Sequence, residues 1–280
     1  MTFFSEITAH CPLLLIGAGN MGGAMLKGWV KAGLKEAAVV AVDPRGEEEI
    51  RNSLGLKKIE VLEHLVDYNP ARVPRLIVFA VKPQFLAEVF QAAHSIPLGN
   101  TLLVSVVAGK RIETFEEKFG KSFPIVRIMP NTPAAIGKGI SAILGNRVAT
   151  DQDLDNAVEL AAVVGQVVRV PDEDAIDIVT CLSGSGPAYF YYFIEALAEA
   201  GFAAGLNEDL AYKLAKETFI GSAALMQISG EEAAPLRQKV TSPGGTTEAA
   251  LGVMMKDGAL MKLVEKAVLT AIKRSRELSR

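Results

Sequence analysis

Two glycine-bearing junctions hold the residues best placed to do chemistry. One is Gly17-Ala18-Gly19-Asn20-Met21-Gly22, and the other is Thr241-Ser242-Pro243-Gly244-Gly245-Thr246-Thr247, running on to Leu251. Each passes from a tight turn into helix-favouring residues. The first turn of a helix leaves backbone N–H groups unpartnered and carries partial positive charge, so it can hold a phosphate or a carboxylate. In the second junction Gly244 and Gly245 let a ligand approach the backbone, while Ser242, Thr246 and Thr247 add hydroxyls. A plain Pro-Gly-Gly turn with Thr246 as helix N-cap would account for the same residues. Two such junctions in one chain point instead to one ligand that brings phosphates and another that brings a carboxylate.

The first junction stands where a dinucleotide fingerprint must stand. The apolar run Leu13–Ile16 reads as a buried strand, a helical stretch follows to Gly33, and a second strand over residues 38–42 closes a βαβ unit. In such a unit the first glycine makes the turn, the second admits the pyrophosphate and the third packs helix on strand. Asp43 ends the second strand 21 residues after Gly22, close to the roughly 20 expected of a ribose-binding acid. An acid there accepts hydrogen bonds from both ribose hydroxyls and favours NADH. Arg45, two residues on, fits a 2′-phosphate and favours NADPH. Asp43-Pro44-Arg45-Gly46 also suits a simple turn. Cofactor preference therefore stays open on the residues, leaning to NADH or mixed use.

Strand-like runs recur at 76–81, 102–107, 125–129 and 167–170, with helical stretches between them. Ligands of open parallel sheets sit beyond the carboxyl ends of the strands. That places Lys82, Ala108 and Asn131 towards a cofactor crevice, although Lys82 also suits a solvated loop. From Asp172 the strand pattern stops. A helix over 189–204 carries only Glu195 and Glu199 as charges and is otherwise apolar on nearly every side, so it must be surrounded. Further helices are expected over 207–229, 231–239 and 259–279. The fold class is α/β: an N-terminal Rossmann-type, mostly parallel sheet domain over 1–171, then an all-α dimerisation domain over 172–280. The carboxylate junction falls in the second domain and the phosphate junction in the first, with chemistry expected where the two meet.

The 280 residues carry a net charge of −3, which argues against nucleic acid or an anionic membrane as the main partner. The basic run 273–280 reads as the last turn of a helix. Cys11 and Cys181 stand far apart without a CxxC grouping, and His10, His64 and His94 are scattered, so no metal ligand set or catalytic triad assembles. No apolar run approaches 18 residues, and residues 1–12 lack a basic start. The expected location is the cytoplasm.

The segments Ile16-Gly-Ala-Gly-Asn-Met-Gly22, Ala80-Val-Lys-Pro83, Arg127-Ile-Met-Pro-Asn-Thr-Pro-Ala134, Leu182-Ser-Gly-Ser-Gly-Pro-Ala-Tyr189 and Val240-Thr-Ser-Pro-Gly-Gly-Thr-Thr247 together resemble the pyrroline-5-carboxylate reductases. The likeness runs over nearly the whole chain in the right order. It implies reduction of the cyclic imine 1-pyrroline-5-carboxylate to L-proline with NADPH or NADH, by a homodimer or a ring of dimers. It further implies dinucleotide contacts at Gly17, Ala18, Gly19, Asn20, Met21, Gly22, Asp43, Arg45, Ala80, Val81, Lys82, Pro83, Val106, Val107, Ala108 and Lys239. Substrate contacts are implied at Glu173, Ser242, Gly244, Gly245, Thr246 and Thr247. Relatives that prefer NADPH often carry a small hydroxyl or amide where this chain has Asp43.

A protonated imine takes hydride readily, so the reaction asks for orientation more than for acid–base machinery. Thr247 is the expected hydroxyl on the ring nitrogen. A hydroxyacid dehydrogenase of the same plan would need a lysine base on the first helix of the second domain, and 183–204 has none. A non-catalytic dinucleotide sensor and reductases of other cyclic imines are the remaining alternatives.

Overall fold

Residues 3–278 are described by a computed structural model. Eight strands, β1 (Leu13–Ile16), β2 (Val39–Val42), β3 (Glu60–Leu62), β4 (Leu76–Phe79), β5 (Leu102–Ser105), β6 (Ile125–Met129), β7 (Gly139–Gly145) and β8 (Gly165–Arg169), form one sheet in the order β3-β2-β1-β4-β5-β6-β7-β8. Neighbours from β3 to β6 are parallel, β6 and β7 antiparallel, and β7 and β8 parallel. All residues of β1, β2, β4 and β5 are buried. Their unbroken apolar runs follow from burial on both faces, since the crossover helices of a parallel sheet cover both sides.

The helices of this part are α1 (Asn20–Lys31), α2 (Gly46–Leu54), α3 (Leu86–Ala92), α4 (Ile112–Phe119), α5 (Asp151–Ala162) and α6 (Glu173–Val179). Against one face pack Met25, Leu26 and Trp29 of α1 with Ala157 and Leu160 of α5. Against the other pack Leu86 and Phe115, with Phe90 and Phe119 closing edge-on and tilted contacts around Phe79. Trp29 is fully buried, and its indole Nε1 donates to the Leu160 carbonyl at 2.8 Å, which ties α1 to α5.

Two strands escape the sequence reading. β3 is three residues long and partly exposed at the sheet edge, too short for a hydrophobic run. β7 runs antiparallel after a short 3-10 turn, so no helix separates it from β6. The runs read as strands over 76–81 and 102–107 pair only to Phe79 and Ser105, which leaves Ala80, Val81, Val106 and Val107 as loop.

The rest is helical: α7 (Gly186–Ala203), α8 (Glu208–Ser229), α9 (Ala233–Lys239), α10 (Thr246–Met255) and α11 (Ala259–Leu278). The Asn207 side chain caps α8 by accepting from the Leu210 amide at 2.9 Å, and Gly230 ends it in left-handed backbone. Ser279, where the last helix was expected to end, and the closing Arg280 of the basic run lie outside the described residues, as do Met1 and Thr2 of the opening stretch.

The chain divides into two compact units, one reaching Gly184 and taking in the residues from Arg274, the other Ser185–Lys273. The first unit takes in α6, because Glu173 and Asp177 bond Arg127 of β6 and Arg111 at the start of α4 and so hold α6 to the sheet. No described helix is long and apolar enough to cross a membrane.

Candidate active site

Within the sheet unit, the order of strands reverses direction between β1 and β4, which is where open α/β sheets bind ligands. The turn after β1 lies there. Gly17 adopts φ +94°, and a Cβ on it would lie 2.7 Å from the Ala80 carbonyl oxygen. A Cβ on Gly22 would run into the Gly17 carbonyl, so this glycine is what lets α1 start so close to the strand. At Gly19, the N-cap of α1, an added Cβ would meet no protein atom within 4 Å, and no side chain caps the helix. Open space over an uncapped helix start fits a pyrophosphate.

Around this turn stand the other residues assigned from the sequence. Ala80 donates its N–H to the Ile16 carbonyl at 2.8 Å and backs the glycine turn; half-buried Val81 and exposed Lys82 and Pro83 follow it. Past β5 come half-buried Val106, buried Val107 and exposed Ala108. Asn131, past β6, donates to the Ser183 carbonyl at 3.2 Å and accepts from the Ile140 amide at 2.9 Å. Its side chain thus pins the end of β6 to the start of β7.

Asp43 ends β2 and is only 6% exposed. Its carboxylate accepts from the Ala18 amide at 2.9 Å and from the Arg45 amide at 3.2 Å. It also takes Arg45 Nε at 2.9 Å and Nη2 at 3.0 Å. Burial raises the pKa of this acid, but the Arg45 guanidinium and the two amides outweigh burial and hold it below the ordinary carboxylate value. Arg45 Nη2 also donates to the Ala18 carbonyl at 3.0 Å. By spacing alone Asp43 favours NADH and Arg45 favours NADPH; in the fold the two are paired with each other.

In the helical unit, α10 begins at Thr246 with Gly245 as N-cap, so Thr246 is not the cap. The threonine is already helical, and Gly245 takes the extended backbone that a cap requires. Gly244 sits at φ +73°, in left-handed backbone, and its amide donates to the Glu248 carboxylate at 2.8 Å. A carboxylate therefore already lies against this helix start, supplied by the chain itself. Ser242 and Thr246 are exposed and Thr247 is half-buried. Glu248 was missed in the sequence, because the glycine N-cap gives no capping-box pattern and its bond runs to the Gly244 amide, one residue before the cap. Lys239, at the end of α9, places its Nζ 2.6 and 2.8 Å from the two carboxylate oxygens of Glu231.

Glu173 opens α6 in the sheet unit. One carboxylate oxygen accepts from the Ile112 amide at 2.7 Å and the other from the guanidinium of Arg127, which is 2% exposed. Each oxygen retains one acceptor direction. Beside it Asp177, fully buried, accepts from Arg111 Nη2 at 2.7 Å and from the Ser275 hydroxyl at 3.3 Å. Burial works against the charge on Arg111, but the carboxylates of Asp177, Glu173 and Asp174 raise its pKa. The roles of Arg111 and Asp177 were not legible, because their pairing spans 66 residues and follows no local pattern.

A doubly wound sheet with an open glycine turn at its switch point fits a dinucleotide-dependent oxidoreductase, and residues 13–109 match a family model described as NADP oxidoreductase, coenzyme F420-dependent. Residues 173–278 match the model described as pyrroline-5-carboxylate reductase dimerisation. The pyrroline-5-carboxylate reductase of Pisum sativum is 38% identical over 266 residues, 94% of each chain. The structure of a pyrroline-5-carboxylate reductase from Coxiella burnetii superposes with a TM-score of 0.85 at 30% identity, over 97% of this chain and 99% of that one. The crystal structure of the Plasmodium falciparum pyrroline carboxylate reductase with NADP bound gives 0.75 at 27% identity, over 98% and 100%. The chain belongs to the pyrroline-5-carboxylate reductase family.

Proposed function

We propose that the protein reduces 1-pyrroline-5-carboxylate to L-proline with NADPH or NADH, the closing step of proline biosynthesis. The observation that carries this reading is the pair of helix starts: an open glycine turn suited to a pyrophosphate in one unit, and a hydroxyl-lined turn that already holds a carboxylate in the other. When bound, the reduced dinucleotide supplies a hydride. Gly17 to Gly22 hold its pyrophosphate, and the Asp43–Arg45 pair meets the adenosine ribose. Ala80, Val81, Lys82, Pro83, Val106, Val107 and Ala108 would contact the rest of the dinucleotide, and Lys239 would reach it on leaving Glu231.

For the substrate, Ser242, Gly244, Gly245 and Thr246 bind the carboxylate, which takes over the amide that Glu248 now occupies. Thr247 hydrogen-bonds the ring nitrogen and steadies the proton that makes the imine electrophilic. Hydride adds to C5, the carbon–nitrogen double bond becomes single, and the nitrogen keeps the proton. Fixing both reactants in a near-attack arrangement can be worth roughly 7–11 kcal/mol. Glu173 braces α4 and α6 around Arg127 and offers its remaining acceptor directions to the substrate amine. Functionally, we assign cofactor binding to residues 1–171 and substrate binding and dimerisation to residues 172–280.

The helical unit supports pairing with a second copy. Phe190, Tyr191, Tyr192 and Phe202 of α7 are more than half exposed in the single chain, a density of bare aromatic surface that calls for cover. We place the protein in the cytoplasm as a homodimer, or a ring of dimers, that binds no nucleic acid. Steady-state oxidation of NADPH and of NADH, each started with pyrroline-5-carboxylate, tests the activity. Proline should appear one for one with dinucleotide consumed; no consumption with either would reject the reading.

A further inference from the structure

The bonds around Asp43 bear on which dinucleotide the protein takes. A carboxylate offers about four acceptor directions. Those of Asp43 go to the Ala18 amide, the Arg45 amide, Arg45 Nε and Arg45 Nη2, all between 2.9 and 3.2 Å. Nothing remains with which to accept ribose hydroxyls while this arrangement holds. The negative charge that would repel a 2′-phosphate is also matched by a guanidinium in direct contact.

Arg45 is correspondingly fixed. Nε and Nη2 face inward to Asp43 and the Ala18 carbonyl, so the guanidinium plane is set against the edge of the glycine turn. Nη1 points away from Asp43 and forms an ion pair at 3.6 Å with Glu49, whose side chain is 59% exposed and which a 2′-phosphate would displace. Of the neighbouring acids in the first turn of α2, Glu47 is paired with Arg51. A pre-set guanidinium with outward donors at the end of β2 is what a 2′-phosphate needs.

Resting on the proposed reductase function, we infer that Arg45, braced by Asp43, selects NADPH over NADH by binding the 2′-phosphate through its Nη1 edge. Asp43 is then a positioning residue for the arginine, not a ribose acceptor.

Fluorescence titration of the full-length protein with NADPH and NADH tests this without turnover. NADPH should bind about tenfold tighter or more, as a charge-assisted hydrogen bond to phosphate implies. Arg45→Ala should bring the two affinities to within about twofold, chiefly by weakening NADPH. Asp43→Asn should weaken NADPH more than NADH, although it leaves Arg45 in place. On the unmodified protein, 2′-phosphorylated ADP-ribose should displace the bound dinucleotide at lower concentration than ADP-ribose. Equal or tighter binding of NADH, or a preference that survives Arg45→Ala, overturns the inference. If imine reduction is intact in that case, the inference alone falls; binding of neither dinucleotide removes the function with it.

Discussion

One hydroxyl distinguishes a helix start that only holds a carboxylate from one that also manages the imine proton. Thr247 has that place in the proposed chemistry, since Ser242 and Thr246 are exposed and it is half-buried. Thr247→Ala should lower kcat/KM by on the order of 10², the typical loss of a positioned proton donor, with dinucleotide affinity nearly unchanged and partial recovery in Thr247→Ser. An unchanged rate would remove the residue from the mechanism. Asp43 gives a second test at this scale. Its folded-state pKa lies below the ordinary value of 3.8, so its contribution to stability is present above that pH and is lost as pH falls through the depressed value. In acid-unfolding series, the stability gap between the unmodified protein and Asp43→Asn should close below about pH 3.8; a constant gap would mean the pairing contributes nothing. The sequence showed an acid and an arginine at the right spacing, but not that the arginine curls back onto the acid. A carboxylate reads the same whether or not its lone pairs are free, and only the fold shows that Arg45 and Ala18 have taken them. Glu248 was hidden for a similar reason, because it looks like an ordinary first-turn acid until its contact with the Gly244 amide is seen.

At the scale of elements, the glycine turn can work only if α1 is held firmly over β1, and Trp29 is the fastening. Its indole N–H meets the Leu160 carbonyl in a buried setting. Trp29→Phe keeps most of the apolar packing but leaves that carbonyl without its donor, so it should cost about 1–3 kcal/mol in chemical denaturation. A loss of only a few tenths would show that packing alone holds α1 to α5. Elements built from continuous apolar runs were legible, with β1 and β6 falling where the sequence puts them. β3 and β7 were not, because a three-residue edge strand and an antiparallel return lack the strand–helix alternation on which the reading depended. The helix start after Pro243 was legible to within one residue, since glycines mark it, but which residue caps it depends on backbone angles.

For the whole molecule, the aromatic surface of α7 is the feature that a single chain leaves unaccounted for. Tyr192 is 71% exposed and Leu197 46%. On α8, Leu214 and Leu225 are more than half exposed as well. Sedimentation at micromolar concentration should show a dimer or a multiple of it, and a monomer would leave this surface unexplained. That need was legible from composition, because a helix with two charges in sixteen residues, 189–204, cannot face water on all sides. The division into compact units was less so: what carries α6 to the sheet unit is a set of long-range ion pairs without any sequence period.

The central claim, that the protein passes a hydride from a reduced dinucleotide to the carbon of a cyclic imine, has a direct measurement. Turnover of pyrroline-5-carboxylate with dinucleotide deuterated at the transferring C4 position should put one deuterium at C5 of proline for each dinucleotide oxidised. Proline without deuterium, or oxidation without proline, would contradict the account.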